Sequence, residues 1–408
     1  MTQLTVDIGG RPGLDCRGFC EYCYFKKVKE SAPFGCQYCL PFQKGCDYCS
    51  RGVREYYTGF KPLRDVADEV LLALGRIPDE VTKITISGGG DPSCYPWFID
   101  LIELLSNIDA PIHIGYTSGK GFDDPEIAKF LIDHNLSEVS FTVFSVDPAL
   151  RSKYMHDPTP EASLQVLEKL CREIDVYAAT VVIPGINDGQ VLNDTCKWLE
   201  DRGAKGLIVM RFANSKEQGL ILDNAPIIKG ITPHSPVFFK DMVTDLNLRF
   251  KMKINGTPLW DSEIRSPFAI LFENDLLEKL PRVTKNATIV TGSIAGPYIE
   301  EILQKCGFSG KVTILPKEIA CLITIDDIKE IDLSQISSTI IIPGRAFVHD
   351  LEAQKILSSD GIDRTLIRGP EMLTADGETS MGMTREEVLA LEMNGISDLI
   401  RLINLYGS

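Results

Sequence analysis

Short apolar segments and amphipathic segments alternate through the first half of the chain. The apolar segments are typical of β-strands, and the amphipathic ones have the spacing of helices, as in residues 63–74 and 164–171. Such alternation favours parallel strands joined by right-handed crossovers. Six units are too few for a closed eight-stranded barrel, so we predict an α/β fold built on a partial (β/α)6 barrel. The six predicted strands are 4–8, 83–87, 112–116, 138–144, 176–183 and 207–212.

A second alternation begins near residue 285. It predicts short strands at 288–290, 312–315, 338–342 and 365–367, and a last helix that begins at Thr384 with the capping box Thr-Arg-Glu-Glu. Several prolines interrupt the stretch before it. We therefore predict a barrel over 1–225, including a metal-binding loop over 30–55. A bridging region over 226–284 and a smaller C-terminal α/β domain over 285–408 follow it.

Seven of the 12 cysteines lie between residues 16 and 49, in a long irregular segment after the first strand. A segment of this kind needs something other than a core to order it, and metal ligation is the obvious candidate. The chain does not open with a basic and then apolar leader, which disfavours a disulfide framework and favours the cytoplasm. The net charge of −15 argues against nucleic acid as a main partner, and no apolar run is long enough for a membrane span.

The sharpest motif is Cys16-x3-Cys20-x2-Cys23, which follows the first strand. Three thiolates on one loop can each bind one iron of a [4Fe–4S] cluster and leave the fourth iron open. The open iron can chelate S-adenosylmethionine (SAM), and an electron from the cluster then yields a 5′-deoxyadenosyl radical. The loop would lie at the carboxyl end of the barrel, where such folds keep their sites. A zinc site is the alternative, but the spacing matches common zinc motifs poorly.

Two later segments point to SAM as well. The turn at 87–92 resembles the Gly-Gly-Glu-like turn by which radical SAM enzymes bind the SAM amino group, and 182–188 resembles the segment that packs on adenine. Glycines let the backbone approach a ligand, and Asp91 adds an acceptor. The predicted SAM-binding residues are Gly88, Gly89, Gly90, Asp91, Thr117, Ser145 and Ile183.

A second cysteine group, Cys36-x2-Cys39-x6-Cys46-x2-Cys49, forms two CxxC knuckles. Four thiolates can make a closed tetrahedral site for zinc or a single iron, or hold an auxiliary cluster. We favour a structural clamp over a redox role, because a site closed by four cysteines has no open position.

With both cysteine groups and Tyr24 in view, the chain resembles the methanogenesis marker protein 10 family. These are cobalamin-dependent radical SAM enzymes that methylate an arginine in methyl-coenzyme M reductase. The resemblance implies hydrogen removal from Cδ of a peptidyl arginine, methyl transfer from methylcobalamin, and a low-potential electron donor. It also implies an iron-binding four-cysteine loop and a cobalamin-associated C-terminal domain. Tyr24 would occupy the open cluster iron when SAM is absent, and Tyr116 would face cobalt as its lower ligand.

The residues themselves leave cobalamin open. None of the five histidines lies in the Asp-x-His-x-x-Gly motif of many cobalamin enzymes, so either another ligand serves or no cobalamin binds. Asp157, after the fourth strand, is the candidate for binding a substrate guanidinium, which favours a bidentate carboxylate. Lys120 is a candidate for the SAM carboxylate or a cobalamin side chain, or is simply solvated.

Two other functions use the same cysteines. A radical SAM peptide-modifying enzyme would carry an auxiliary cluster in the four-cysteine loop, form oxidative cross-links and bind no cobalamin. A zinc-ribbon interaction protein would bind zinc without catalysis. Iron content and a bound corrinoid distinguish these from a methyltransferase.

Overall fold

The computed structural model describes residues 2–28, 33–46 and 58–408. They fall into two compact units. The first unit takes the described residues within 1–27, 55–212 and 227–257, and the second takes those within 28–54, 213–226 and 258–408.

The first unit is built on a seven-stranded sheet whose strands pair in chain order, each parallel to the next. This is the α/β fold with a partial barrel that the sequence predicts, and all six predicted strands are present. The strands are β1 (Thr2–Asp7), β2 (Val81–Ser87), β3 (Ile112–Thr117), β4 (Leu136–Thr142), β5 (Asp175–Val182), β6 (Gly206–Arg211) and β7 (Lys253–Thr257).

Strand β7 was not predicted. It contains Asn255 and Gly256 and ends directly before Pro258, so it lacks the apolar pattern of a strand. Pairing with the buried strand β6 brings it into the sheet. The sheet therefore has one strand more than predicted, taken from the region read as a bridge.

Helices follow the strands of the first unit, and their apolar faces match the predicted periodicity. In the helix Pro160–Glu173, between β4 and β5, Leu164, Leu167 and Leu170 are all buried. The helices are α1 (Leu63–Leu74), α2 (Phe98–Leu105), α3 (Ile127–Asp133), α4 (Pro148–Met155), α5 (Pro160–Glu173), α6 (Gly189–Arg202) and α7 (Pro236–Arg249). Short 3-10 helices span Leu14–Cys16 and Pro92–Cys94.

The second unit holds a four-stranded parallel sheet in the order β11-β10-β8-β9. All four strands predicted after residue 285 are present: β8 (Thr288–Gly292), β9 (Lys311–Leu315), β10 (Thr339–Ile342) and β11 (Thr365–Arg368). The helices are α8 (Asn274–Leu277), α9 (Gly296–Lys305), α10 (Ile325–Lys329), α11 (Asp350–Leu357) and α12 (Arg385–Tyr406). The 3-10 helices are Ala269–Phe272, Ala320–Leu322, Leu333–Gln335 and Thr379–Gly382.

The four-cysteine loop belongs to the second unit, which differs from the predicted division of the chain. Lys44 pairs with Glu352 at 2.8 Å, and Gln37 donates to Glu371 at 2.8 Å. These partners lie more than 300 residues away in sequence. No local pattern could therefore assign the loop to this unit.

The structure contains, within its described ranges, no helix with the length and apolarity that crossing a membrane requires.

The predicted capping box is present at the start of α12, where the Thr384 hydroxyl accepts a hydrogen bond from the Glu387 amide at 3.2 Å. Replacing Thr384 with Ala leaves that amide without its acceptor. We expect a loss of about 1 kcal/mol in the free energy of unfolding, measured by urea denaturation. Thr384→Ser keeps the hydroxyl and should retain most of the stability. Equal losses in both variants would show that the cap is not what Thr384 contributes.

Candidate active site

The loop after β1 carries Cys16, Cys20 and Cys23 on a series of tight turns. The 3-10 helix Leu14–Cys16 ends at Arg17, which is left-handed, and the amide of Cys23 donates to the carbonyl of Cys20 at 3.1 Å. Burial raises the pKa of Cys16 to about 12 and that of Cys23 to about 11. The metal-free chain therefore holds these groups as thiols at neutral pH, and iron binding must release their protons.

Lys120 stabilises this loop through hydrogen bonds to backbone carbonyls. Its side chain is fully buried, and its ammonium donates to the carbonyls of Gly18 at 2.7 Å and Met155 at 3.0 Å. The same nitrogen lies 4.0 Å from the sulfur of Cys20. The sequence left Lys120 as a ligand of the SAM carboxylate or of a cobalamin side chain, or as a solvated residue. The structure shows it buried and bonded to backbone carbonyls instead. Lys120 holds the cysteine loop in place.

Asp91 joins the loops that leave three strands. Its buried carboxylate accepts from the amide of Ser93 at 2.9 Å and its hydroxyl at 2.8 Å, and from the Thr117 hydroxyl at 2.6 Å. The amide of Ser118 donates to it at 2.8 Å, and the Ser118 hydroxyl donates as well. The Asp91 amide in turn donates to the carbonyl of Asp15 at 3.1 Å. The carboxylate predicted to accept from SAM is thus engaged in positioning the loops after β1, β2 and β3.

Two glycines of the turn after β2 are required by protein packing. A Cβ on Gly90 would lie 2.7 Å from the Phe60 ring, and one on Gly88 would lie 2.4 Å from the carbonyl oxygen of Gly9. These positions lack room for any larger residue before a ligand is considered. Gly89 lies between them and is partly exposed.

Three other predicted SAM-binding side chains, Thr117, Ser145 and Ile183, are at most 1% exposed. Each orders its own loop: the Ser145 hydroxyl accepts from the amide of Asp147 at 3.1 Å, and the Ile183 amide donates to Asn187 at 2.8 Å. The structure places all three at strand exits of the barrel, as predicted, but covers their side chains with protein.

The two predicted tyrosines lie in different surroundings. Tyr116, near the end of β3, is 41% exposed. The half-buried Tyr24 ring meets Phe25 edge-on with centroids 5.3 Å apart. Tyr22, which the sequence analysis overlooked, stacks on Phe144 at 4.8 Å. Its buried hydroxyl has no hydrogen-bond partner among the described residues.

Tyr22 supports the predicted cluster. Burial, and then the charge of the Cys20 thiolate, raises the pKa of Tyr22 well above its ordinary value, so the group stays a neutral donor. A neutral hydroxyl beside the Cys20 sulfur can donate a hydrogen bond to a cluster ligand. The aromatic residue directly before Cys23 was the available sequence signal.

The prediction for Asp157 is corrected by the structure. Asp157 is buried and pairs with the chain's own Arg151, whose Nε and Nη2 approach one carboxylate oxygen at 3.1 and 2.6 Å. Its other oxygen accepts from the Thr159 amide at 3.1 Å and the Ser163 hydroxyl at 3.3 Å. No face of the carboxylate is left for a substrate guanidinium. Arg151 instead ties Asp157 to the carbonyls of Val143 at 2.7 Å and Ser118 at 2.8 Å.

The described part of the four-cysteine loop includes Cys36, Cys39 and Cys46, and Cys49 lies outside the described residues. The sulfur of Cys39 accepts from the amides of Cys36 at 3.4 Å and Gly45 at 3.3 Å. These two bonds wrap the backbone of the first knuckle around the Cys39 sulfur. No three His, Cys, Asp or Glu side chains within the described ranges are gathered tightly enough for a single ion.

The second unit has a cavity of about 320 Å³ at the carboxyl ends of its strands. The chain runs from β8 to β9 on one side and returns to β10 on the other, so the sheet reverses its order between β8 and β10. Open α/β sheets bind ligands at such a switch point. Most of the lining is apolar, with Ile289, Ile341 and Leu399 among it, and Arg345 and Glu371 are among its charged residues.

The first unit is thus a partial barrel with a three-cysteine loop at its carboxyl end, the arrangement of an enzyme that generates radicals with an iron–sulfur cluster. The family model of the radical SAM superfamily matches residues 11–195. These residues are similar to the radical SAM domain, and the match supports a [4Fe–4S] cluster and SAM as cofactors.

Curated relatives match about two fifths of the chain. The FeMo cofactor biosynthesis protein NifB of Rhizobium leguminosarum bv. trifolii is 28% identical over 203 residues, or 43% of this chain and 40% of NifB. NifB of Azotobacter vinelandii is 27% identical over 199 residues, or 43% of this chain and 39% of the relative. The chain therefore spans about two fifths of the length of these relatives.

Two solved structures are similar at low identity. Methylornithine synthase (PylB) aligns with a TM-score of 0.39 and 11% identity, covering 90% of this chain and 83% of PylB. A radical SAM methyltransferase from Sphaerobacter thermophilus aligns with a TM-score of 0.35 and 13% identity, covering 77% of this chain and 66% of that one.

The role found for Asp157 is testable. Asp157→Asn leaves the charge of Arg151 buried without its counter-charge, and we expect unfolding to become easier by about 3–5 kcal/mol, measured by chemical denaturation. Asp123→Asn removes the exposed pair with Arg17 and should cost at most about 1 kcal/mol. A stable Asp157→Asn protein that loses only its affinity for an arginine peptide would restore the substrate role.

Proposed function

We propose that this chain is a cobalamin-dependent radical SAM methyltransferase. Its substrate would be a peptidyl arginine of methyl-coenzyme M reductase, methylated at Cδ. The radical SAM domain supports the chemistry of hydrogen removal. The choice of substrate rests on the resemblance carried by the two cysteine groups and Tyr24.

The observation that carries the cobalamin half of the proposal is the switch-point cavity of the second unit. About 320 Å³ is far too small for a whole corrinoid but suits the flat benzimidazole base of its tail. The apolar lining favours that base, and Arg345, which is exposed, could pair with the phosphate of the tail. These features support the placement of the tail base in this cavity.

Tyr116 is the proposed ligand to cobalt. It stands near the exit of β3 with 41% of its surface exposed, so its phenol can reach a bound group. Cobalamin would supply the methyl group when bound. The chain's own contribution would be to hold the radical-generating loop through Lys120 and Asp91 and to present the ligand oxygen of Tyr116.

The four-cysteine loop is proposed to bind one iron in a structural role. The two amide donors to Cys39 and the ion pair between Lys44 and Glu352 support it, because both order the loop on the second unit. A redox role is less favourable for a site whose ligands close it on all sides.

Metal counting is the first test. The protein is purified without oxygen, reconstituted with iron and sulfide, and loaded with methylcobalamin and SAM. We expect about one cobalt and about five irons per chain, four in a cube and one in the four-cysteine loop. About eight irons with no retained cobalt would instead favour the peptide-modifying enzyme with an auxiliary cluster.

An arginine peptide assay tests the reaction itself. With a low-potential reductant, the peptide from methyl-coenzyme M reductase should gain the mass of one CH2 group, because a methyl group replaces a hydrogen, and fragmentation should locate the methyl group on Cδ. Methylation of a nitrogen, or none in a protein loaded with cluster and cobalamin, would contradict the proposal.

A cavity-filling variant tests the proposed cobalamin site. Ala295 lines the cavity and is partly exposed. Ala295→Phe should weaken cobalamin binding at least tenfold in a spectroscopic titration, because the larger side chain occupies the space proposed for the base. Ala295→Ser keeps the space and serves as the control. If Ala295→Phe binds cobalamin with unchanged affinity and retains its iron, the cavity is not part of the cobalamin site.

A further inference from the structure

Lys120 is a buried positive charge beside the cysteine loop. Its side chain is 0% exposed, and the ammonium is held by two carbonyls, those of Gly18 and Met155. Within the described ranges it has no carboxylate at ion-pair distance. The other buried cation of this region, Arg151, does have one, at 2.6 Å in Asp157.

An uncompensated ammonium is expensive to bury, since burial removes its hydration and carbonyl dipoles replace only part of it. Such a charge persists where a negative charge completes the site. The sulfur of Cys20 lies 4.0 Å from the ammonium, and the cysteines of the loop, which become thiolates when they bind iron, are the nearest source of that charge. Asp91, the other buried carboxylate here, is satisfied by the hydroxyls and amides of Ser93, Thr117 and Ser118.

We propose that Lys120 is a positioning residue with two effects: it fixes the cysteine loop, and its charge makes the cluster easier to reduce. An oxidised [4Fe–4S] cluster on three thiolates carries one net negative charge, and the one-electron reduced cluster carries two. A nearby positive charge therefore stabilises the reduced state more than the oxidised state. The external electron donor can then be a weaker reductant than it would otherwise need to be.

This proposal rests on the cluster part of the proposed function and is independent of cobalamin and of the arginine substrate. Its readout is the midpoint potential of the cluster, measured by an anaerobic redox titration of the reconstituted full chain with electron paramagnetic resonance detection. Packing alone does not dictate a direction for that potential, whereas the loss of a nearby positive charge does.

Three substitutions separate charge from positioning. Lys120→Gln removes the charge and keeps a donor, Lys120→Met removes both, and Lys120→Arg keeps both. Lys153→Gln removes an exposed charge from helix α4, the helix that ends at Met155, and is the matched control. We expect the potential to shift to more negative values in the Gln and Met variants, and to stay near that of the wild type in the Arg and Lys153 variants.

The outcomes are distinguishable. If Lys120→Met fails to retain iron, the positioning effect is supported. The midpoint potential of the cluster in Lys120→Gln then tests the effect of the charge. A cluster in Lys120→Gln with the wild-type potential, or a shift of equal size in Lys153→Gln, overturns the proposal. A wild-type protein that forms no cluster under these conditions refutes the cluster itself, and with it any role for Lys120 there.

Discussion

The carboxylate of Asp91 is the interaction on which the geometry of the site depends. Three loops leave the carboxyl ends of β1, β2 and β3. Without contacts between them, these loops would have no fixed positions relative to one another. Asp91 draws them together, because its side chain receives donors from Thr117 and Ser118 while its amide bonds to Asp15 in the cysteine loop. Burial strengthens each of these bonds, since water does not compete for the same groups. The position of the cysteine loop therefore depends on the residue whose side chain also fixes the loop after β3.

Two buried cations complete this arrangement in different ways. Arg151 meets Asp157 and carbonyls at the exits of β3 and β4, so its charge is balanced within the protein. Lys120 meets only carbonyls and the sulfur of Cys20 within the described ranges, so its charge is available to a group on the cysteine loop. The second unit offers a separate apolar cavity at its switch point. The two units thus provide distinct chemistry: a charged, hydrogen-bonded loop in one and a mostly apolar cleft in the other.

The sequence predicted what local patterns encode. Six strands of the barrel, all four strands of the second sheet and the cap at Thr384 follow from periodicity and short-range bonding. The assignment of the cluster cysteines rests on their spacing and stays a prediction. Strand β7 did not, because pairing with β6 rather than its own composition makes it a strand. Asp157 was assigned to substrate because nothing in the sequence indicates that Arg151, on the preceding helix, turns back to pair with it. The same holds for the glycines at 88 and 90, whose small size is required by Gly9 and Phe60.

The central claim is that Cys16, Cys20 and Cys23 hold a cluster that cleaves SAM reductively. The most direct test is to quantify 5′-deoxyadenosine after the reconstituted protein is mixed with SAM and a low-potential reductant. The account predicts its formation by the wild type and by Cys306→Ala, a buried thiol of the second unit, and its absence in Cys20→Ala. Equal formation by Cys20→Ala, or none by a wild-type protein that carries its iron, would contradict the account.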